Sequence, residues 1–335
     1  MRHEYVSGTQ SGTFLKTRNN MQTILGAGGA IGIEVAKALT KYTDTVRLVS
    51  RTPKKVNATD SLFPANLDDP AQVLKAVAGS EVAYLTVGYE YKTKLWQEKW
   101  PVLIKNVVDA CSQHQCKLVF FDNIYAIGGD NVTHITESSP ISPCSKKGDV
   151  RAAVDRNVLE AVEKGKLDAI IARAPDFFGP TSRQTSITMN LIYDNLVKGK
   201  KAQWFCDASR IHSTGYTPDL GLGTAMLGNT PTAYNQIWNL PVDPQAPTGA
   251  EWAGLFAQEM PRSNAPAGVQ VLPGWGLWTL GLFIHVLKEM YEMRYQYDRD
   301  YFFDAAKFNT AFNYLPTTNV AAVKETVAAL REPGL

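Results

Sequence analysis

Four glycines fall within seven positions, at Gly26, Gly28, Gly29 and Gly32, directly after an apolar run and before an amphipathic one. A strand, a bare turn and a helix in that order build a cradle for a pyrophosphate. Gly26 permits the tight turn, Gly28 and Gly29 clear side chains from the approach, and Gly32 lets helix and strand pack closely. Ala30 and Ile31 open the helix, whose first amides and partial positive charge suit a phosphate. The next strand ends Val49-Ser50-Arg51-Thr52-Pro53-Lys54-Lys55, without the carboxylate that would hold two free ribose hydroxyls. Arg51, with Ser50 and Lys54 or Lys55 assisting, suits a 2′-phosphate instead. These residues point to NADP(H) in preference to NAD(H).

A second group of residues has acid–base potential. Asp122, Asn123 and Tyr125 follow the apolar run Leu118–Phe121, at the carboxyl end of a strand where open α/β sheets bind ligands. Asp122 can polarise or orient, Asn123 can donate a hydrogen bond, and Tyr125 can give a proton or serve as a half-buried ring beside the cofactor. Lys147 and Arg151 stand four apart at the start of a helical segment, hence on one face. A free lysine titrates near 10.4. Burial beside Arg151 would lower that value and make Lys147 an acid or base. The alternative is that both cations anchor phosphate, ribose or an anionic substrate. His212 reads first as a structural histidine.

The elements that must position these groups alternate. Strands are expected at Thr23–Leu25, Val46–Val49, Ser61–Phe63, Val82–Val87, Leu118–Phe121 and Ala169–Ala172. Helices are expected at Gly32–Lys41, Pro70–Ala78, Leu95–His114 and Gly148–Lys164. Strands that are apolar throughout and separated by helices form a parallel sheet covered on both faces. The fold class is therefore α/β, a Rossmann-like doubly wound parallel sheet with a smaller mixed C-terminal lobe. Residues 1–20 read as a flexible leader, 21–180 as the dinucleotide-binding domain and 181–335 as an interleaved substrate-side lobe. In that lobe, proline and glycine punctuate helices at Thr248–Glu259 and Trp278–Arg294 and strands near Gln236–Leu240 and Val269–Leu272. The aromatic residues of this half are expected mainly in the core, and the run Met290–Tyr297 packs as core or lines an apolar pocket or lid.

Bulk properties narrow the partners. The chain has 335 residues, 44% hydrophobic and 20% charged, with net charge +2 and no basic block, which excludes nucleic acid as a partner. The four cysteines fit neither a zinc spacing nor a disulfide framework, so a reduced, cytoplasmic protein is expected. No stretch reaches the roughly 18 apolar residues of a membrane span. The longest candidate, Trp275–Leu287, reads as a buried or interface helix, not a membrane contact.

Together these motifs resemble the extended or atypical short-chain dehydrogenase/reductase superfamily, in particular its NAD-dependent epimerase/dehydratase branch. Gly26-x-x-Gly29-x-x-Gly32 fits the phosphate loop. Asn66-Leu67 resembles the acidic-plus-Leu pair at adenine, with Asn for Asp. Leu85-Thr86-Val87-Gly88 looks like the strand end bordering the cofactor ribose. Arg173-Ala174-Pro175-Asp176-Phe177-Phe178-Gly179-Pro180 resembles the segment that passes the nicotinamide, and Tyr216-Thr-Pro-Asp219 resembles a later helix start. The resemblance implies an active site of Tyr-x-x-x-Lys with a Ser or Thr. Here Lys147 falls on the Tyr, Arg151 on the Lys and Phe121 on the Ser or Thr. Asp122 and Asn123 fall on the dehydratase acid and base, and losing that second carboxylate argues against sugar-nucleotide dehydration.

Two functions follow as expectations. One is an NADP(H)-dependent oxidoreductase or epimerase-like enzyme for a small carbonyl or hydroxyl substrate. Lys147, Tyr125 or Asp122 would handle the proton, with Arg151 at the ribose. The other is a non-catalytic NADP-binding sensor or assembly protein. The resemblance also allows a homodimer through Leu95–His114 and Gly148–Lys164.

Overall fold

The computed structural model describes residues 20–260 and 265–330, so the expected leader lies outside it apart from Asn20. The first half runs β1 (Met21–Leu25), α1 (Ala30–Leu39), β2 (Val46–Ser50), β3 (Ser61–Pro64), α2 (Pro70–Val77), β4 (Ser80–Leu85), α3 (Thr93–His114), β5 (Lys117–Asp122), α4 (Lys146–Glu163) and β6 (Ala169–Arg173). All six strands pair in parallel. The interior strands explain why. All five residues of β6 and four of the five in β1 are buried, a pattern that requires helices on both faces. Asp69 starts α2 by accepting from the amides of Ala71 and Gln72, with Pro70 at the first helical position.

The second half adds β7 (Phe177–Phe178), α5 (Asp194–Val197), β8 (Ala202–Phe205), β9 (Gly215–Tyr216), α6 (Thr217–Gly228), β10 (Gln236–Asn239), α7 (Gly249–Glu259), β11 (Val269–Leu272), α8 (Gly274–Gly281), α9 (His285–Tyr291), α10 (Ala306–Ala311) and α11 (Asn319–Leu330). The sheet order is β10-β6-β5-β4-β1-β2-β3. The order reverses between β1 and β4, which fixes the ligand crevice at their carboxyl ends. Strand β10, expected in the substrate-side lobe, returns to the main sheet and pairs with β6. The second half has its own apolar cluster, including Phe178, Tyr193, Trp204, Trp252 and Phe256.

One expected helix divides. Trp278–Arg294 is two helices, α8 and α9, with a turn at Leu282–Ile284. Gly281 makes the reversal possible: a Cβ there would lie 3.0 Å from the backbone of Lys288. The reading of Trp275–Leu287 as buried is corrected. Leu277 is buried, but Trp275, Trp278, Leu280, Leu282, Phe283, Ile284 and Val286 are exposed. The two short helices fold against each other, so neither offers its full length to the core. Among the described residues no helix is long and apolar enough to cross a membrane.

Candidate functional site

The glycine turn between β1 and α1 stands at the crevice. Gly26 has φ +99°, in the region that disfavours a side chain, and an added Cβ would meet the Val87 amide nitrogen at 2.8 Å. Gly28 and Gly88 instead face open space, with no atom within 4 Å of an added Cβ. Gly29 caps α1 without any side-chain cap, and no acidic residue occupies the first turn of Ala30 and Ile31. Gly32 packs tightly on Gly26 and Ala27. Thr86 donates to the carbonyls of Leu25 and Gly26, so its hydroxyl braces the loop, with Val87 half-buried beside it. An open cradle below uncapped amides fits a dinucleotide pyrophosphate. Gly26→Ala is expected to destabilise the fold by about 1–3 kcal/mol from the strained backbone alone, read as a lower thermal midpoint, and to abolish dinucleotide binding in a fluorescence titration.

The carboxyl end of β2 is more open. Ser50 ends β2 half-buried and Arg51 is exposed beyond it. Arg51 lies close enough to Tyr89 to favour its phenolate form, although burial keeps the Tyr89 phenol well above its ordinary range. Asn66 is exposed and accepts from the Asp68 amide, while Leu67 packs on the core. At the other end of the crevice the Ala174 amide donates to the Asp122 carbonyl at 2.9 Å, and Pro175 is buried. The ends of β5 and β6 therefore adjoin, as their Asp122–Arg173 pairing requires.

Lys147 and Arg151 on α4 have partners. The Lys147 side chain is fully buried. Its Nζ pairs with Glu289, reaches Glu292 at 2.6 Å, donates to the Thr93 hydroxyl at 3.0 Å, and lies 4.4 Å from the Tyr91 ring centre. Burial works against the Glu289 carboxylate, but bonds from Lys147 and Thr93 outweigh it and hold its pKa below the usual value. Lys147 thus ties α3 and α4 to α9. Arg151 donates to Asp122, under the rings of Trp100 and Phe120. Burial lowers the Arg151 pKa, and Asp155 opposes that shift. Asp155 bonds to Arg173 at 3.2 Å, which makes a buried row of four alternating charges under the crevice. The structure sets Asp122 and Arg151 against each other below the site.

Above this row lies a cluster that sequence reasoning mostly missed. Tyr125 is buried, stacked on Trp96 with centroids 5.9 Å apart, and its hydroxyl lies 3.5 Å from that of Tyr91. The Asn123 side chain accepts from the Tyr125 amide and shapes this turn. Burial first, and the nearby Asp176 charge second, push the Tyr125 phenol far above its ordinary value, so it keeps its proton at neutral pH. Asp176 accepts from Tyr297 at 2.8 Å and lies 3.0 Å from His212 Nε2. The other ring nitrogen of His212 faces the Gln296 carbonyl at 3.1 Å. Tyr297 and Tyr301 stack on the two sides of that imidazole. Asp176 sits in the quoted Arg173–Pro180 segment; its acidity was the available signal. Trp204 and Trp238 are core, as is Tyr295 from the Met290–Tyr297 run. Among the described residues no group of His, Cys, Asp and Glu forms a metal site.

Residues 26–175 match the family model described as NAD(P)H-binding. No curated protein matches the sequence. Solved structures with the same fold include a dTDP-glucose 4,6-dehydratase, DesIV of Streptomyces venezuelae, with NAD bound: 15% identity over 93% of this chain and 97% of that one, TM-score 0.73. The UDP-glucose 4-epimerase of Thermus thermophilus, also with NAD, is 16% identical over 92% of this chain and 98% of that one, TM-score 0.69. An epimerase of Methanothermobacter thermautotrophicus is 12% identical over 93% and 92% of the two chains, TM-score 0.76. At these identities the likeness establishes the shared fold.

Proposed function

We propose that this chain, whose sheet is Rossmann-like and whose residues 26–175 match the NAD(P)H-binding family model, is an NADP(H)-dependent oxidoreductase or epimerase-like enzyme of the short-chain dehydrogenase/reductase kind, for a small carbonyl or hydroxyl substrate. The observation that carries this reading is the open cradle at Gly28 and Gly88 next to the buried Tyr125–Asp176–His212 cluster. When bound, the nicotinamide supplies or accepts a hydride. The chain's own residues do the rest. Gly26–Gly32 and the α1 amides hold the pyrophosphate, Arg51 takes the 2′-phosphate, and Ala174 and Pro175 border the nicotinamide. Tyr125 keeps a proton at its hydroxyl for the substrate oxygen. Burial, with the charge of Asp176 after it, keeps the Tyr125 phenol protonated, and His212 and Tyr297 hold Asp176 in place. Lys147 and Arg151 position their helices and strand ends through Glu289, Glu292 and Asp122.

A second reading, an NADP-binding sensor or assembly protein, draws on one observation: the lysine on the family's tyrosine position is fully buried and paired. A fluorescence titration with NADPH and NADH separates the assignments. Tight NADPH with weaker NADH is expected, and Arg51→Ala should weaken NADPH about 10- to 100-fold, the value of a lost charge-assisted contact, while leaving NADH unchanged. Equal affinities in the parent protein would refute the NADP assignment. Tight NADPH binding without NADPH consumption across a carbonyl panel would favour the sensor.

A further inference from the structure

The α8–α9 hairpin carries apolar surface that no element of the described chain covers. Phe283 is 87% exposed, Trp275 74% and Leu282 65%, with Trp278, Leu280, Ile284 and Val286 also exposed. We propose that this hairpin docks into the headgroup layer of a membrane containing anionic lipid.

Three observations favour that occupant. The exposed positions 275, 278, 280, 282, 283, 284 and 286 do not share one helical face, so the apolar surface wraps around the turn. A protein partner covering about 800 Å² of this chain needs a complementary face, whereas a fluid headgroup layer closes around a convex tip. The residue types match as well. Aliphatic and phenyl groups occupy the tip at Leu282–Ile284, and two tryptophans stand behind them on α8, where amphipathic rings settle at the headgroup level.

The third observation is charge. Between Gly274 and Lys288 the titratable residues are His285 and Lys288, both exposed, and Arg294 follows, also exposed. The nearest carboxylates of the hairpin, Glu289 and Glu292, turn inward onto Lys147, with His285 Nε2 at 3.5 Å from Glu289. Asp207 and Asp298 line a cleft of about 620 Å³ at the root of the hairpin, whose walls include Trp275 and Trp278. Asp207 is bonded to Ser209 and Arg210, and Asp298 to Arg299. Arg294 lines that same cleft, so the outward formal charge beside the apolar tip is that of Lys288, which complements phosphatidylserine or phosphatidylglycerol. The proposal is contact without spanning, where the sequence alone pointed to a buried or interface helix.

Flotation of the full chain with vesicles tests this. Five of the seven tryptophans (Trp96, Trp100, Trp204, Trp238 and Trp252) are buried, so an emission shift on adding vesicles reports on Trp275 and Trp278. The expected result is co-flotation and a blue shift with phosphatidylserine-containing vesicles, weaker with phosphatidylcholine alone and weaker in high salt. The double variant Leu282→Ser, Phe283→Asp should remain with the unbound protein, its thermal midpoint unchanged because both side chains are exposed. Failure of the parent protein to float with anionic vesicles overturns the proposal, as does flotation that the double variant retains. Conversion of a dimer to a monomer by the same variant, seen by sedimentation in the absence of lipid, overturns it too and assigns the hairpin to a second copy.

Discussion

Arg151→Met lowers the free energy of unfolding by about 3–5 kcal/mol, the cost of breaking a buried ion pair from one side. Asp122 is fully buried and Arg151 is the charge that compensates it. Methionine fills much of the arginine volume under Trp100 and Phe120 but leaves the carboxylate without a partner in a low-dielectric site. Chemical denaturation monitored by circular dichroism measures the loss. Adding Asp122→Leu to Arg151→Met should recover most of it, because replacing both partners of a buried pair by apolar groups is often near neutral. A single variant as stable as the parent would show that the row of charges under the crevice is not a structural unit.

Tyr125→Phe reduces turnover by about 10²- to 10⁴-fold, the usual contribution of a positioned proton donor, with little change in the thermal midpoint. The change deletes one hydroxyl, whose neighbour is the Tyr91 hydroxyl at 3.5 Å, and keeps the ring stacked on Trp96. Lys147→Met should behave in the opposite way. It removes the buried cation shared by Glu289 and Glu292 across the α4–α9 contact, so it costs stability more than rate. The pair of variants is compared by NADPH consumption with a responsive carbonyl substrate and by thermal unfolding. If Tyr125→Phe turned over at the parent rate, the proton would come from another group, and Tyr297 and His212 on Asp176 would be next to test.

The sequence allowed the dinucleotide half to be read in detail because its signals are local. Apolar runs bounded by turns marked β1, β2, β3, β5 and β6 to within about two residues, and the glycine spacing marked the turn between β1 and α1. What escaped involves partners distant in sequence. Lys147 meets Glu289 and Glu292 more than 140 residues later, and no periodicity signals such a pair. Arg151 and Asp122 were both read as groups facing a ligand. Their pairing depends on how α4 lies on the end of β5, which becomes visible only in three dimensions. His212 read as a lone structural histidine. Its link to Asp176 needs the start of β7 and the segment leading into β9 side by side, and its stacking needs Tyr297 and Tyr301 from beyond α9. The Trp275–Leu287 run was judged by hydrophobicity alone, which identifies apolar surface but not what covers it.

The return of β10 to the main sheet has a consequence for the protein during its synthesis. Strand β6, Ala-Ile-Ile-Ala-Arg, is complete at Arg173, but its outer neighbour begins at Gln236. Roughly 60 residues must be added in between, which takes on the order of 3–12 s at common elongation rates. Through that interval the nascent sheet ends in an apolar strand with an unpaired edge, the kind of edge that recruits other chains. Any chain truncated before Asn239 keeps that edge permanently, so the dinucleotide half released alone is a substrate for chaperones and a seed for aggregation.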